Sequence, residues 1–536
     1  MASKILKGDM PELMEDILNN LNDEIYSLYS CALVNRYWCK MSIPILCQDP
    51  FSFKPRPSFI SNYVSSLGEN DKITLKRCGI NEEFPKTLFD YERFLKVLNL
   101  GRLKCKVYDW IELFNSKSHN DDTLRYHIIN LLFKLFIESG AILHTFSLYF
   151  SESLGFKPEI FYSLGQNEQF FSQIQHLSLD IGDFNIESAT TLLNAVAKNV
   201  TKLRTLEFNE DDYNGHVNQV NDMLPLIHSF IYIIKSQEQL RIISLVGLRY
   251  FTEFHGIISA LESQKSSLQE VRIDNCNFSA EFEVLNNCKN LETFRIMSCN
   301  WVLSKLSKIL DYKISTLELE LTDYSIDAQP IALILKKSAI LLQRLRLVSS
   351  NEIKDEPLIL EAIKSFCPNI IHFSIVNLEF STQLIELIGN FQKLQILSIC
   401  RDADEIPDEE MKIRVKQFSE ILPLTLQYFC LGYWLRYHID ILLNHCNTPL
   451  KKLLIYEICD EKIFKALVEF CIRIKTLNYV GVNRYLDLDD NIKRNWNHML
   501  HWYHLNLLIL IFKFYEFLLL LSVGQQDIML FYVYYC

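Results

Sequence analysis

Three histidines, His498, His501 and His504, recur at intervals of three in the stretch NHMLHWYHL. Imidazoles so spaced could share a helix face and hold a metal. Positions i, i+3 and i+6 drift around a helix, however, and no thiol or carboxylate joins them closely. The chain's 15 cysteines are scattered and form no C-x-x-C pair, so zinc lacks its closely paired ligands. Two adjacent carboxylate pairs, Glu409-Glu410 and Asp489-Asp490, could do acid–base work, but both fall in polar runs that read as solvated loops. The sequence holds no phosphate-cradling G-x-x-x-x-G-K-[ST], no G-x-S-x-G nucleophile turn and no H-E-x-x-H helix. The expectation is a non-catalytic protein with no cofactor and no metal.

Composition narrows the class further. The chain has 536 residues, is 49% apolar and carries a net charge of −11, enough for a large core and opposed to general nucleic-acid binding. Its start, MASKILKGDMPELMED, lacks the apolar run of a secretory signal, so free thiols and a cytoplasmic or nuclear setting are expected, and the sequon Asn199-Val200-Thr201 reads as chance. Near the other end, LNLLILIFKFYEFLLLLSV (505–523) is 19 residues long, enough to cross a bilayer. Lys513 and Glu516 sit near its middle. Each central charge costs about 3 kcal/mol against about 0.5 returned per Leu or Phe, which leaves insertion near balance and a membrane partner disfavoured. Residues 486–536 are therefore read as a terminal cap or hydrophobic tail, with non-native coding sequence as a third reading.

The elements that would position any site come from a repeat. Apolar residues in the pattern L-x-x-L-x-L recur as IQHLSL (Ile174), LRTLEF (Leu203), LRIISL (Leu240), LQEVRI (Leu268), LETFRI (Leu291) and ISTLEL (Ile314). They continue as LQRLRL (Leu342), IIHFSI (Ile370), LQILSI (Leu394), LQYFCL (Leu426), LKKLLI (Leu450) and IKTLNY (Ile474), with LHTFSL (Leu143) and LKVLNL (Leu95) upstream. From Ile174 to Ile474 the mean step is about 27 residues. Each unit opens with strand-like alternation, and the residues that follow often show helical spacing, as Phe254, Ile257, Ile258 and Leu261 do within 251–264. One such unit cannot cover its own apolar face, whereas a stack can. LQEVRIDNCNF and LETFRIMSCNW match the fuller pattern L-x-x-L-x-L-x-x-N/C-x-L, with Cys276 and Cys299 at the same offset. The chain resembles leucine-rich-repeat proteins of the cysteine-containing, helix-bearing kind. The resemblance implies an α/β fold in which parallel strands line a concave face and helices a convex one, over residues 141–485, with 51–140 as connector and irregular first repeats.

Residues 9–50 read differently. Pro11 suits a first helical turn, and Leu13, Ile17, Leu18 and Leu21 form one face. Asp23 could cap a second helix that carries Ile25, Leu28, Tyr29, Ala32 and Leu33 on one stripe. A third would hold Tyr37, Trp38 and Met41 and stop at Pro44. Three amphipathic helices in about forty residues lie near the lower limit for independent folding and call for a neighbour or a partner. The segments Met10-Pro11-Glu12-Leu13, Ile17-Leu18, Leu28, Leu33-Val34-Asn35-Arg36-Tyr37-Trp38 and Pro44-Ile45-Leu46 together resemble an F-box, with Met10 where the family usually has leucine.

That resemblance implies the substrate-recognition subunit of an SCF-type ubiquitin ligase. The F-box would bind the adaptor Skp1, and through it cullin, while the repeats hold an unidentified protein target. Carried over by position, Pro11, Leu13, Ile17, Leu18, Leu28, Leu33, Val34 and Trp38 would meet the adaptor. Arg272, Arg295, Arg344 and Arg346, at outward strand positions, would form a basic patch suited to an acidic or phosphorylated target segment. The alternatives are a repeat scaffold without a ligase role and a membrane-tethered repeat receptor.

Overall fold

A computed structural model describes residues 11–485, apart from several short stretches of which 211–219 and 248–255 are the longest, together with residues 508–511. The chain divides into two compact units, Met1–Asn290 and Leu291–Cys536.

The N-terminal unit begins with three helices, α1 (Pro11–Asn19), α2 (Ile25–Ala32) and α3 (Arg36–Leu46). The second is entered at Glu24; Asp23, expected as its cap, lies outside the described residues. Asn35 caps α3, its Oδ1 accepting from the Trp38 N–H at 2.9 Å. The expected stop at Pro44 does not occur, and α3 runs on to Leu46. Losing one N–H there is offset by burying Ile45 with Met14, Leu18 and Leu28, the core of the three helices.

The chain then enters a stack. Strands β1 (Val97–Asn99), β2 (Thr145–Phe150), β3 (His176–Ile181), β4 (Thr205–Glu210), β5 (Ile242–Val246) and β6 (Glu270–Asp274) pair in sequence order, every described pairing parallel. Helix α4 (Leu100–Glu112) follows β1 directly. Between β5 and β6 the helix expected over 251–264 is described only from Gly256 on, as an α-helical turn at Ile257–Ala260 and a 3-10 turn at Leu261–Gln264, with Ile257, Ile258 and Leu261 buried as their spacing requires, while Phe254 lies outside the described residues. β1 lies inside the segment 51–140, so the stack is already under way before residue 141.

The C-terminal unit repeats the scheme with β7 (Thr293–Met297), β8 (Thr316–Leu321), β9 (Arg344–Ser349), β10 (His372–Val376), β11 (Ile396–Cys400), β12 (Tyr428–Leu431), β13 (Lys452–Ile458), β14 (Tyr479–Tyr485) and β15 (Leu508–Ile511), again parallel neighbours in order. Helices such as Ala328–Ser338, Glu356–Phe366, Thr382–Asn390 and Glu461–Arg473 connect them and bury Leu, Ile and Phe against the strands. Both units are the α/β, parallel-strand architecture of a repeat stack.

One backbone device repeats throughout. Within each unit of the chain, the carbonyl at the second position of an L-x-x-L segment recurrently accepts two N–H groups from the following repeat. Arg204 and Thr205 donate to Gln175, Gln269 and Glu270 to Arg241, and Ile371 and His372 to Gln343. The series starts at Gln48, just past α3, which accepts from Lys96 and Val97 and so ties the three helices to the first strand. A second device is a left-handed residue two positions after the third apolar residue: Gly247, Asn275, Ser298 and Asn377 have φ between 51 and 84. Asn and Gly tolerate that region at little cost.

The last repeat is shifted. The expected unit IKTLNY at Ile474 gives way to LNYVGV at Leu477, because β14 starts at Tyr479 in register with Lys452. Ile474 instead closes the preceding helix, and Leu477 N–H bonds back to its carbonyl. Two buried apolar residues three apart let the sequence pattern slip. Within 486–536 only Leu508–Ile511 is described, as a parallel strand beside β14. The membrane-length reading of 505–523 thus lies mainly outside the described residues, as do His498, His501, His504 and Asp489-Asp490. Among the described residues no helix is long and apolar enough to cross a membrane.

Candidate functional site

The eight residues carried over from the F-box resemblance divide by burial. Leu18 and Leu28 are core residues that hold the three helices together. Trp38 packs partly buried against that core and Leu13 is half-buried. Pro11 occupies the first position of α1. Ile17, Leu33 and Val34 are exposed. Periodicity placed Leu18 and Leu28 on the apolar stripe, but it could not say which edge of the stripe faces inward. Two exposed aromatics join the set, Tyr26 at 90% and Tyr29 beside Leu33 at 71% exposure. Tyr26 was missed because it lies off the predicted stripe. Five large apolar side chains thus stand in solvent within 18 residues, from Ile17 to Val34, over a core of four residues. An apolar surface concentrated in this way marks an interaction site.

Register identifies the outward residues of the strands. Ser178, Glu207, Ser244 and Arg272 form one row in the N-terminal unit. Arg295, Glu318, Arg346, Ser374, Ser398, Cys430, Leu454 and Gly481 form the equivalent row in the C-terminal unit. Gly481, and not Asn478, follows Leu454 in that row because of the shifted last repeat, and Leu510 on β15 comes next.

The expected basic patch is largely neutralised. Arg272 Nε donates to Glu270 on its own strand. Arg295 Nη1 lies 2.6 Å from Glu318 Oε2, and Arg346 Nη1 lies 3.6 Å from Glu320 Oε2. Arg272 belongs to one unit and the other three arginines to the other. Carboxylates at adjacent outward positions were legible in ISTLELE, but their pairing with the arginines of the next strands needed the register. His372 sits one strand from Arg344. Burial first, then the charge of Arg344, lowers its pKa to about 4, with Glu318 opposing and Arg346 adding to the depression.

Further along the same unit the outward face turns aromatic. Lys452 Nζ lies 5.0 Å from the Tyr428 ring centre and 5.6 Å from that of Tyr479, and Cys430, Leu454, Tyr456 and Tyr479 form a buried cluster. Glu409 and Glu410, expected in a loop, occupy the first turn of the helix Asp408–Ile421, where the helix N-terminus favours carboxylates, and they pair with Lys412 and Arg414. Among the described residues no group of three His, Cys, Asp or Glu side chains is placed to hold a metal ion.

No family model and no curated protein matches the chain. Among solved structures, it is similar to a chain in the crystal structure of the Rad7 and Elc1 complex in yeast, at 13% identity and a TM-score of 0.33, with 84% of this chain and 91% of that chain covered.

Proposed function

We propose that this protein is a non-catalytic substrate receptor of an SCF-type ubiquitin ligase. Helices α1–α3 dock on Skp1, and through it on cullin, and the repeats hold a protein target. The observation that carries this reading is the exposed apolar group Ile17, Tyr26, Tyr29, Leu33 and Val34 on a three-helix unit whose own core is four residues. A unit this small gains stability from covering such a surface, and aromatic side chains at its centre supply the anchoring energy. A receptor needs no reacting group of its own. Tethering a target beside a charged conjugating enzyme raises its local concentration, and the chemistry belongs to other chains.

Co-purification with Skp1 tests the proposal. Leu33→Asp combined with Val34→Asp removes apolar contact from exposed positions, so the chain keeps its fold and loses the adaptor by at least tenfold in affinity. Trp38→Ala is the poorer probe, since Trp38 also packs on the core of the unit. Folded wild-type protein with no affinity for Skp1 refutes the reading.

A further inference from the structure

The residues that lead into β1–β5 make one basic row in an acidic chain. The three residues before each of these strands read Phe94-Leu95-Lys96, Ile142-Leu143-His144, Gln173-Ile174-Gln175, Lys202-Leu203-Arg204 and Gln239-Leu240-Arg241, with four cations and no carboxylate among them. The backbone sets their spacing. His144 N–H donates to the Lys96 carbonyl, Gln175 to His144, Arg204 to Gln175 and Arg241 to Arg204, at 2.8–2.9 Å. The last residues of the five triplets therefore stand on one level, about 4.8 Å apart from strand to strand, and Lys96 and Arg241 are roughly 19 Å apart. Lys202, Arg204 and Arg241 are exposed and Lys96 is half-buried. Lys96, Arg204 and Arg241 have no ion-pair partner among the described residues, and Lys202 reaches the Gln173 amide oxygen at 3.4 Å. Glu207 and Glu238 lie three residues from Arg204 and Arg241 in the chain but pair with neither. The row thus differs from Arg272, Arg295 and Arg346, which carboxylates already engage. Two histidines register its field: burial and then Lys96 lower the pKa of His144, and burial and then Arg204 lower that of His176.

A compact anion would touch one or two of these groups. A ligand that meets them all is extended, carries negative charge at intervals and crosses the strands, and about six residues of extended chain span the row. Nucleic acid is opposed by the net charge of −11 and finds few cations here. We propose that the N-terminal rim of β1–β5 binds an extended acidic segment of another protein, with its carboxylates on Lys96, Lys202, Arg204 and Arg241. The two arginines, on neighbouring strands, take adjacent carboxylates through paired N–H donors. The row lies on the strands and not on α1–α3, so the segment binds with or without the adaptor; on the receptor reading it belongs to the target.

Fluorescence anisotropy of a short labelled poly-glutamate peptide, titrated with the full chain at low salt, tests the proposal. Skp1 is left out, so the result is independent of the adaptor reading. The chain's overall negative charge works against non-specific capture of this probe. The peptide binds with Kd in the micromolar range and weakens as salt is added. Arg204→Glu combined with Arg241→Glu weakens binding at least tenfold. Lys364→Glu combined with Lys416→Glu, at exposed cations of the other unit, makes the same change in net charge and leaves binding within twofold. Unmodified protein gives a second readout: saturating peptide slows acetylation of Lys202 by an amine-reactive ester, while Lys364 reacts unchanged. The proposal is overturned by a peptide that does not bind, by equal weakening in the two paired variants, by binding that leaves Lys202 unprotected, or by a single-stranded oligonucleotide of the same charge that binds as tightly. The labelling readout stands even where a variant fails to fold.

Discussion

His372 shows how strongly a stacked strand constrains a single side chain. In the folded protein its pKa falls to about 4, whereas an unfolded chain leaves imidazole near its usual 6.5. Above the unfolded value both states are neutral and stability is at its full level. As pH drops from 6.5 towards 4 the unfolded chain takes up a proton that the folded one refuses, and stability is lost. A loss on the order of 2 kcal/mol over that window is expected from this group. His372→Gln should flatten it, as read from urea midpoints between pH 7 and pH 4.5; an unchanged profile in the variant removes His372 as the cause. The neighbouring ion pair behaves differently. The Arg295 side chain is 7% exposed and that of Glu318 is 14%, so removing either partner takes the ion-pair partner from a charge that water scarcely reaches. Arg295→Met should cost about 3–4 kcal/mol, and adding Glu318→Leu should recover most of it, since a buried pair is seldom better than its apolar replacement. Equal destabilisation by the single and the double variant would contradict this. The arginine and glutamate were plain in the sequence. That they face each other across β7 and β8 was not, because parallel register between strands more than twenty residues apart leaves no local mark.

Elements in this chain are held by polar staples as well as by leucines. Gln264 is buried between repeats. Its Oε1 accepts from the Leu240 N–H at 3.2 Å, and its Nε2 donates to the Ile234 and Gln237 carbonyls. Gln237 does the same one repeat earlier, with Leu203 N–H and the Val200 and Ile233 carbonyls. Gln264→Leu fills the space but takes their partner from the Leu240 N–H and the Gln237 carbonyl, Ile234 keeping the Gln237 N–H at 3.3 Å, so a stability loss of about 2–3 kcal/mol, read from denaturant melts, is expected, against well under 1 kcal/mol for an exposed glutamine. Nothing in ALESQKSSL distinguished Gln264 from a surface residue. The leucine pattern, in contrast, located almost every strand, because an apolar residue at each of three fixed offsets is what a stack must bury. It failed where two registers bury equally well, at Ile474 and Leu477, whereas the helical spacing it shows within 251–264 is met over the described part, Ile257–Gln264, by an α-helical turn that runs into a 3-10 turn. Close approach between strands makes a further distinction. A Cβ on Gly432 would lie 2.7 Å from Cys400 Cβ and 3.1 Å from its Cα, whereas one on Gly481 would meet the flexible end of Leu454 at 2.6 Å. Gly432→Ala should therefore destabilise by about 1–3 kcal/mol and Gly481→Ala by clearly less, in matched thermal melts. The reverse order would mean that β11 and β12 can separate more easily than β13 and β14.

Across the whole molecule each repeat touches chiefly its neighbours, so stability is a sum of local terms and not the property of a single core. The two compact units, Met1–Asn290 and Leu291–Cys536, set the scale on which those terms are shared. Every described cysteine is a free thiol, and the thiols report on this directly. Burial pushes Cys367, Cys430 and Cys471 up to about 12, and Cys288 up to about 11 with help from Glu262. Near neutral pH these groups hold almost no thiolate and lie out of reach of reagent, so they react only when their surroundings open. Cys78 and Cys105 are exposed and should label at once in native buffer. Brief alkylation across a urea series, read by mass spectrometry of the peptides, should then expose Cys276 and Cys288 together at one midpoint and Cys367, Cys430 and Cys471 together at another, because each set shares a unit. Sites that instead label one at a time, in the order of their places along the stack, would show opening by fraying from an end, and the division into two cooperative units would fail. A shared midpoint for all five would show one cooperative block.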